Sequence, residues 1–168
     1  MEAYPDLPGP EPSAYDVLIT DISPEDLPGA VSRFLGMPYL AHSAESEEWP
    51  ARGGIYGVKR RVLFSLPMSI RGAPASAVNV HFVFDTGAPA TYISRSTVRA
   101  LGLEEWSVDS ARLLVNGRSA GPVLVSDSMA CHFAGLNILG MDFLDRHDLV
   151  MTVDMRRMRA TMALPDAA

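Results

Sequence analysis

One cysteine, Cys131, stands in a chain of 168 residues. A lone thiol excludes an internal disulfide and leaves no cysteine-based metal site, so it reads as a small apolar packing residue. Aromatic residues make up only 8% of the chain. No apolar run approaches the roughly 18–20 residues of a membrane-spanning helix. The opening Met1-Glu2-Ala3-Tyr4-Pro5-Asp6 lacks the charged-then-apolar pattern of a signal peptide and the arginines of a transit peptide. An intracellular setting, cytosol or organelle interior, is therefore the expectation. Basic residues are scarce at one end: the first fifty residues hold ten acidic groups against Arg33 alone, a net of −9. The rest carries thirteen basic and ten acidic groups, +3, which makes the −6 of the whole chain. With that balance, and no aromatics interleaved with its basic clusters (Lys59-Arg60-Arg61 and Arg156-Arg157-Arg159), nucleic acid is not an expected partner. His81, His132 and His147 show no metal-ligand spacing, so neither metal nor cofactor is expected.

What is present divides in two. Eight of the thirteen prolines lie in the first fifty residues, where Pro5, Pro8, Pro10 and Pro12 hold the backbone extended. Residues 15–20 could form a short strand. Ser23-Pro24 has the form of a helix start, with a short helix or one irregular turn following Pro28. The apolar residues here (Ile19, Phe34, Leu35, Met37, Tyr39, Leu40) are too many for a solvated linker, so residues 1–57 read as an acidic, proline-rich arm that orders by docking. Residues 58–168 read as one mainly β domain with a hydrophobic core; apolar residues are 48% of the chain and the mean hydropathy is +0.10. Strands are expected at 62–70, where Pro67 suggests an edge or bulge, and at 78–84, antiparallel to it. A short helix over 94–101 is capped by Ser94 and ends at Gly102. Asn116-Gly117 marks a hairpin between 113–115 and 122–125. A second short helix is expected over 141–147 and a final hairpin over 149–153 and 158–164.

Two motifs carry the chemistry. Asp85-Thr86-Gly87-Ala88 closes the strand Val78-Asn79-Val80-His81-Phe82-Val83-Phe84, which alternates and then turns fully apolar. Some fifty residues later stands Asn137-Ile138-Leu139-Gly140-Met141-Asp142-Phe143-Leu144. Carboxylates hydrolyse peptides in pairs: one accepts a proton from water while its protonated partner polarises the carbonyl. Two so close share one proton and titrate as a pair. Only one Asp-Thr-Gly is present, so a working pair needs a second copy of the chain.

Together the motifs resemble the retropepsin-like (retroviral, single-domain) aspartic proteases, and the protease-like domain of DNA-damage-inducible ubiquitin shuttle proteins, over residues 58 to 164. The resemblance implies a closed β-barrel, one lobe of the acid-protease fold, with short helices and, here, an extended N-terminal arm. It implies an endopeptidase in which a water is activated between two Asp85 of a homodimer. Thr86 would bond across the two-fold, Gly87 would let the backbone approach the carboxylate, and Ala88 matches the retroviral form. Ile138, Leu139 and Gly140 would pack beneath the loop as support.

The chain departs from that pattern where the enzymes cover their substrate. Only Glu104-Glu105-Trp106-Ser107-Val108-Asp109-Ser110 separates Leu103 from Ala111, so either the flap hairpin is missing or residues 113–125 serve as the flap and later strands are missing. Without a lid, water is not excluded from the scissile bond. The alternative implied is a flap-deficient, inactive protease-like module, a structural or assembly subunit docking protein partners through its arm.

Overall fold

The computed structural model describes residue 19, residues 21–44, residue 46, residues 48–128 and residues 132–165. Cys131, and the strand expected at 15–20 apart from Ile19, lie outside the described residues. Ten strands form one mixed sheet: β1 (Ala51–Tyr56), β2 (Arg61–Ile70), β3 (Ala73–Phe84), β4 (Thr91–Ile93), β5 (Leu113–Val115), β6 (Arg118–Ser119), β7 (Val123–Val125), β8 (Asn137–Leu139), β9 (Val150–Asp154) and β10 (Arg159–Ala163). Their order is β7-β4-β8-β3-β2-β1-β10-β9, with β5 paired to β2 and β6. The mainly β class holds, but the path ends at β7 and β9 without those two pairing, so the sheet is open and not a closed barrel. β1 falls within the stretch that the sequence groups with the arm, yet it pairs antiparallel to β2 on one side and β10 on the other.

β2 and β3 form the spine, in register from Val62↔Phe84 to Met68↔Val78. Pro67 sits where β2 changes its second partner from β1 to β5, and the register slips between Met68 and Ile70. A proline cannot donate to a ladder, and this junction is where the loss costs least; its carbonyl still accepts the Asn116 N–H at 2.7 Å.

The run through β3 turns fully apolar because both faces of the sheet are covered. Val78, Val80 and Phe82 face the main core with Phe64, Leu66, Met68, Phe143 and Met162. Val83 points the other way, with Leu63 and Ile138, and its cover is the arm: Ile19, Ile22, Leu27 and Val31 are buried in that second cluster. The arm runs from a short turn at Pro24–Asp26 through a π-type turn, Leu27–Val31, into α1 (Ser32–Leu35). Its Phe34 lies over β1 where Gly54 leaves room; a Cβ there would be 2.6 Å from the Phe34 ring. Residues 40–43 then run beside β3, with Leu40 N–H donating to Asn79, Asn79 N–H to Ala41 and Ser43 N–H to Ala77.

Two helices close the ends of the main core. α2 (Arg95–Ala100) is capped by Ser94, whose hydroxyl accepts the Thr97 N–H, and Gly102 follows at φ +74°. α3 (Met141–Arg146) follows β8 directly. The Asn116-Gly117 turn, with φ of 48° and 75°, is as tight as that pair predicts. It joins β5 to β6 and not to residues 122–125, because β7 pairs instead in parallel with β4.

Candidate active site

Asp85 follows the last residue of β3, and β8 runs parallel alongside, with Val83 opposite Ile138 and Phe84 opposite Leu139. β8 in turn meets β4 through Ile138↔Tyr92. The loop from Asp85 to Ala90 therefore leaves from one neighbour of β8 and returns on the other. Its backbone is pinned to β8 and α3: Asp85 N–H donates to the Leu139 carbonyl at 3.2 Å, and Met141 N–H to the Ala88 carbonyl at 2.9 Å. Ala88 N–H closes the turn on the Asp85 carbonyl at 3.2 Å.

Gly140 lies directly beneath. A Cβ there would run into the Ala90 carbonyl and reach 3.0 Å from the Ala88 oxygen, so only glycine admits the loop this close. Ile138 and Leu139, almost fully buried, face opposite cores. In the loop, Ala88 is buried, whereas Thr86 and Gly87 are exposed. The Gly87 N–H donates to Asp85 Oδ1 at 2.8 Å, and a Cβ on Gly87 would press on that oxygen at 3.3 Å. Asp85 Oδ2 is buried and has no hydrogen-bond partner. One carboxylate oxygen is thus held by the loop's own backbone.

Several residues around this loop are not legible as site residues in the sequence. Thr91 accepts the Gly140 N–H at 3.2 Å and donates its hydroxyl to Asp142 Oδ1 at 2.8 Å, and that oxygen also takes the Phe143 N–H. Asp142 is therefore a brace between β4 and α3. Asn137, fully buried, accepts the Ser94 N–H and the Thr97 hydroxyl, each at 2.8 Å. Its amide donates to the His81 carbonyl at 3.2 Å and to the Tyr39 hydroxyl at 3.1 Å. A polar residue immediately before Ile-Leu-Gly was the available signal for Asn137. Tyr39 gave none, because nothing local places the arm beside β8.

Between α2 and β5 lies a 3-10 turn, Glu105–Ser110, tied by an Arg95–Glu105 ion pair. β5 is buried at all three positions and paired to β2, so this stretch is sheet and not a lid. Among the described residues no group of three or more His, Cys, Asp or Glu could hold a metal ion, and no helix is long and apolar enough to cross a membrane.

An Asp-Thr-Gly loop between two strands, seated on an apolar-apolar-Gly strand that runs between them, is an aspartic-protease arrangement. The chain belongs to the aspartyl protease family, whose model matches residues 66–153, just over half of it. Similar solved structures include a retropepsin-like aspartic protease from Rickettsia conorii, 13% identical with a TM-score of 0.43, covering 70% of this chain and 96% of that one. The retroviral protease-like domain of Ddi1 from Leishmania major is 20% identical with a TM-score of 0.33, covering 62% and 93%. No curated protein matches the chain.

Proposed function

We propose that the chain is a retropepsin-like aspartic endopeptidase that works as a homodimer, with the two Asp85 carboxylates facing each other across the two-fold. The observation that carries this reading is the Asp85 loop itself, with Oδ1 held by the Gly87 N–H, Gly140 close beneath and Thr86 and Gly87 exposed. Of the pair, one carboxylate is ionised and one protonated. The ionised one takes a proton from water as the water oxygen bonds to the scissile carbonyl carbon; the protonated one gives its proton to the carbonyl oxygen. Transfer of a proton to the amide nitrogen then lets the C–N bond break, and the pair returns to its starting state. In this reading the exposed Thr86 bonds across the two-fold, and Ile138, Leu139 and Gly140 pack beneath the loop as its support.

A second reading is favoured by the shortness of the chain between α2 and β5, where a single 3-10 turn, Glu105–Ser110, leaves no room for a flap hairpin: an inactive protease-like module that serves as a structural or assembly subunit, with protein partners docked through the arm. The test is incubation of the full chain and its Asp85→Asn variant with a diverse peptide library across about pH 4–7, the range in which a shared-proton pair functions. Cleavage by the wild type alone, rising more steeply than linearly with protein concentration, supports the dimeric protease. Absence of cleavage by either, from folded protein, favours the module.

A further inference from the structure

We propose that residues 32–39 of the arm form an acid-released clasp on the strands that carry the site, with His81 as its latch. The inference does not depend on what Asp85 does.

His81 lies mid-strand in β3, four residues before Asp85, and is 1% exposed on the sheet face that the arm covers. Its Nε2 is 3.0 Å from the Ser32 hydroxyl of α1, and its Nδ1 is 3.1 Å from the Ser65 hydroxyl of β2. The Tyr39 ring lies against it at 5.2 Å between centroids. Proton accounting fixes the tautomer. The Ser32 hydroxyl donates to the Leu27 carbonyl at 2.7 Å and accepts the Tyr39 N–H at 3.0 Å, so its single proton is used. Nε2 must therefore carry hydrogen and donate, and Nδ1 is left to accept from Ser65. The neutral ring satisfies every partner. A second proton would have to sit on Nδ1, facing an oxygen that now donates to it.

That charge would have no counterion. The groups facing the ring are Ser32 and Tyr39 from the arm, Ser65 from β2 and the Met37 carbonyl; Tyr39 is the one ionisable side chain among them, and there is no carboxylate. On the flanking elements Arg33 is exposed, Arg61 is paired with Asp21 at 3.0 Å, and Arg95 is paired with Glu105. Burial depresses the His81 pKa from 6.5 to about 4, with the Met37 carbonyl acting weakly the other way. The sign follows: the closed state resists the proton, a hydrated ring accepts it near 6.5, so acid favours whichever state wets the ring. β3 and β2 cannot open to do this, because each is paired on both sides. The arm can. It holds the ring through Ser32 and Tyr39, and beyond them residues 40–43 stay tethered to β3 as a hinge. When it lifts, Tyr39 leaves Asn137, the residue that ties the head of β8 to α2 and β3.

The size of the effect is set by the two pKa values: between pH 7 and pH 4 the open population rises by about 100-fold. Native-state amide exchange of the full chain, corrected for intrinsic rates, reads this at Met37 and Tyr39, whose N–H groups bond to the Ser32 carbonyl and hydroxyl and come free because so short a helical turn unwinds once off the sheet. The expected result is a loss of protection of that order at those two amides on going from pH 7 to pH 4. The β2–β3 amides should hold, and a His81→Gln variant, which keeps a donor and an acceptor but no titration, should show no loss. Arm protection that is independent of pH, equal loss in the Gln variant, or equal loss at every amide would each overturn the clasp. Should that variant not fold, the titration of His81 in the wild type, followed by NMR, decides. A ring in the folded protein that titrates near 6.5 overturns the proposal, and one depressed toward 4 supports it.

Discussion

The floor of the Asp85 loop and the stretch between α2 and β5 are built to different standards. Below, every backbone group named around the loop finds a partner: Asp85 on Leu139, Ala88 on Asp85, Met141 on Ala88, Gly140 on Thr91. Two cores press on β8 from opposite sides. Between α2 and β5, by contrast, a single 3-10 turn, Glu105–Ser110, fills the interval before a strand that is already part of the sheet, and its Val108 is buried in the main core. Thus the features that hold an aspartate in a fixed geometry are present, while the described residues between α2 and β5 form a turn and no hairpin. Holding a carboxylate needs only local packing and backbone bonds. Enclosing a peptide needs a separate element with its own sequence, and that element can be shortened without disturbing the floor.

The largest effect should come from removing part of the floor's underside. Deleting residues 1–44 uncovers Leu63, Val83 and Ile138 by taking away Ile22, Leu27 and Val31, all buried. At about 2 kcal/mol for each such side chain, the loss approaches the roughly 5–15 kcal/mol that stabilises a domain. The truncated chain should show no cooperative thermal transition and should aggregate; a sharp transition like that of the full chain would mean the floor stands without the arm.

Gly140→Val comes next. Its Cβ would collide with the Ala90 carbonyl, backbone that cannot turn aside as a flexible side chain would, so a loss above about 3 kcal/mol is expected. Urea unfolding measures it, and an unchanged midpoint would show that the loop does not rest on this residue. Asn137→Ala is smaller, about 2 kcal/mol, because it strands the buried Ser94 N–H and removes four hydrogen bonds without forcing the backbone apart. Its distinguishing mark is faster amide exchange at Ser94 than at the β2–β3 ladder; uniform change would deny Asn137 a local role.

These residues also show what a sequence yields. The Asp-Thr-Gly loop, its strand, the Ser94 cap, α3 and the last hairpin were legible because each is written in adjacent residues: an alternation, a cap, a turn pair. The partner of residues 122–125 was not. Asn116-Gly117 signals a tight reversal, but two residues after it, at Arg118–Ser119, are enough to complete that hairpin. The following strand then goes to β4, a choice made by the tertiary packing and invisible locally. Sheet closure failed for the same reason, since nothing adjacent to β7 or β9 says whether they meet. The arm's docking was half legible, through its surplus of apolar residues, while its contact with Asn137 through Tyr39 depends on chain positions 98 residues apart.

Thr86→Ala should have the smallest effect on the subunit and the sharpest bearing on where the floor ends. Thr86 is exposed, so its replacement should change the stability of the dilute chain by no more than about 0.5 kcal/mol. If Asp85 is paired across a two-fold, the same change removes a bond between subunits, and the mass measured by light scattering should shift to monomer at concentrations where the wild type is dimeric. A wild type that stays monomeric at every concentration would remove the second carboxylate and with it the hydrolytic reading. A Thr86→Ala chain that melts early as a monomer would place Thr86 in the floor, and the exposed upper surface of the loop would then be part of the same rigid unit as Gly140.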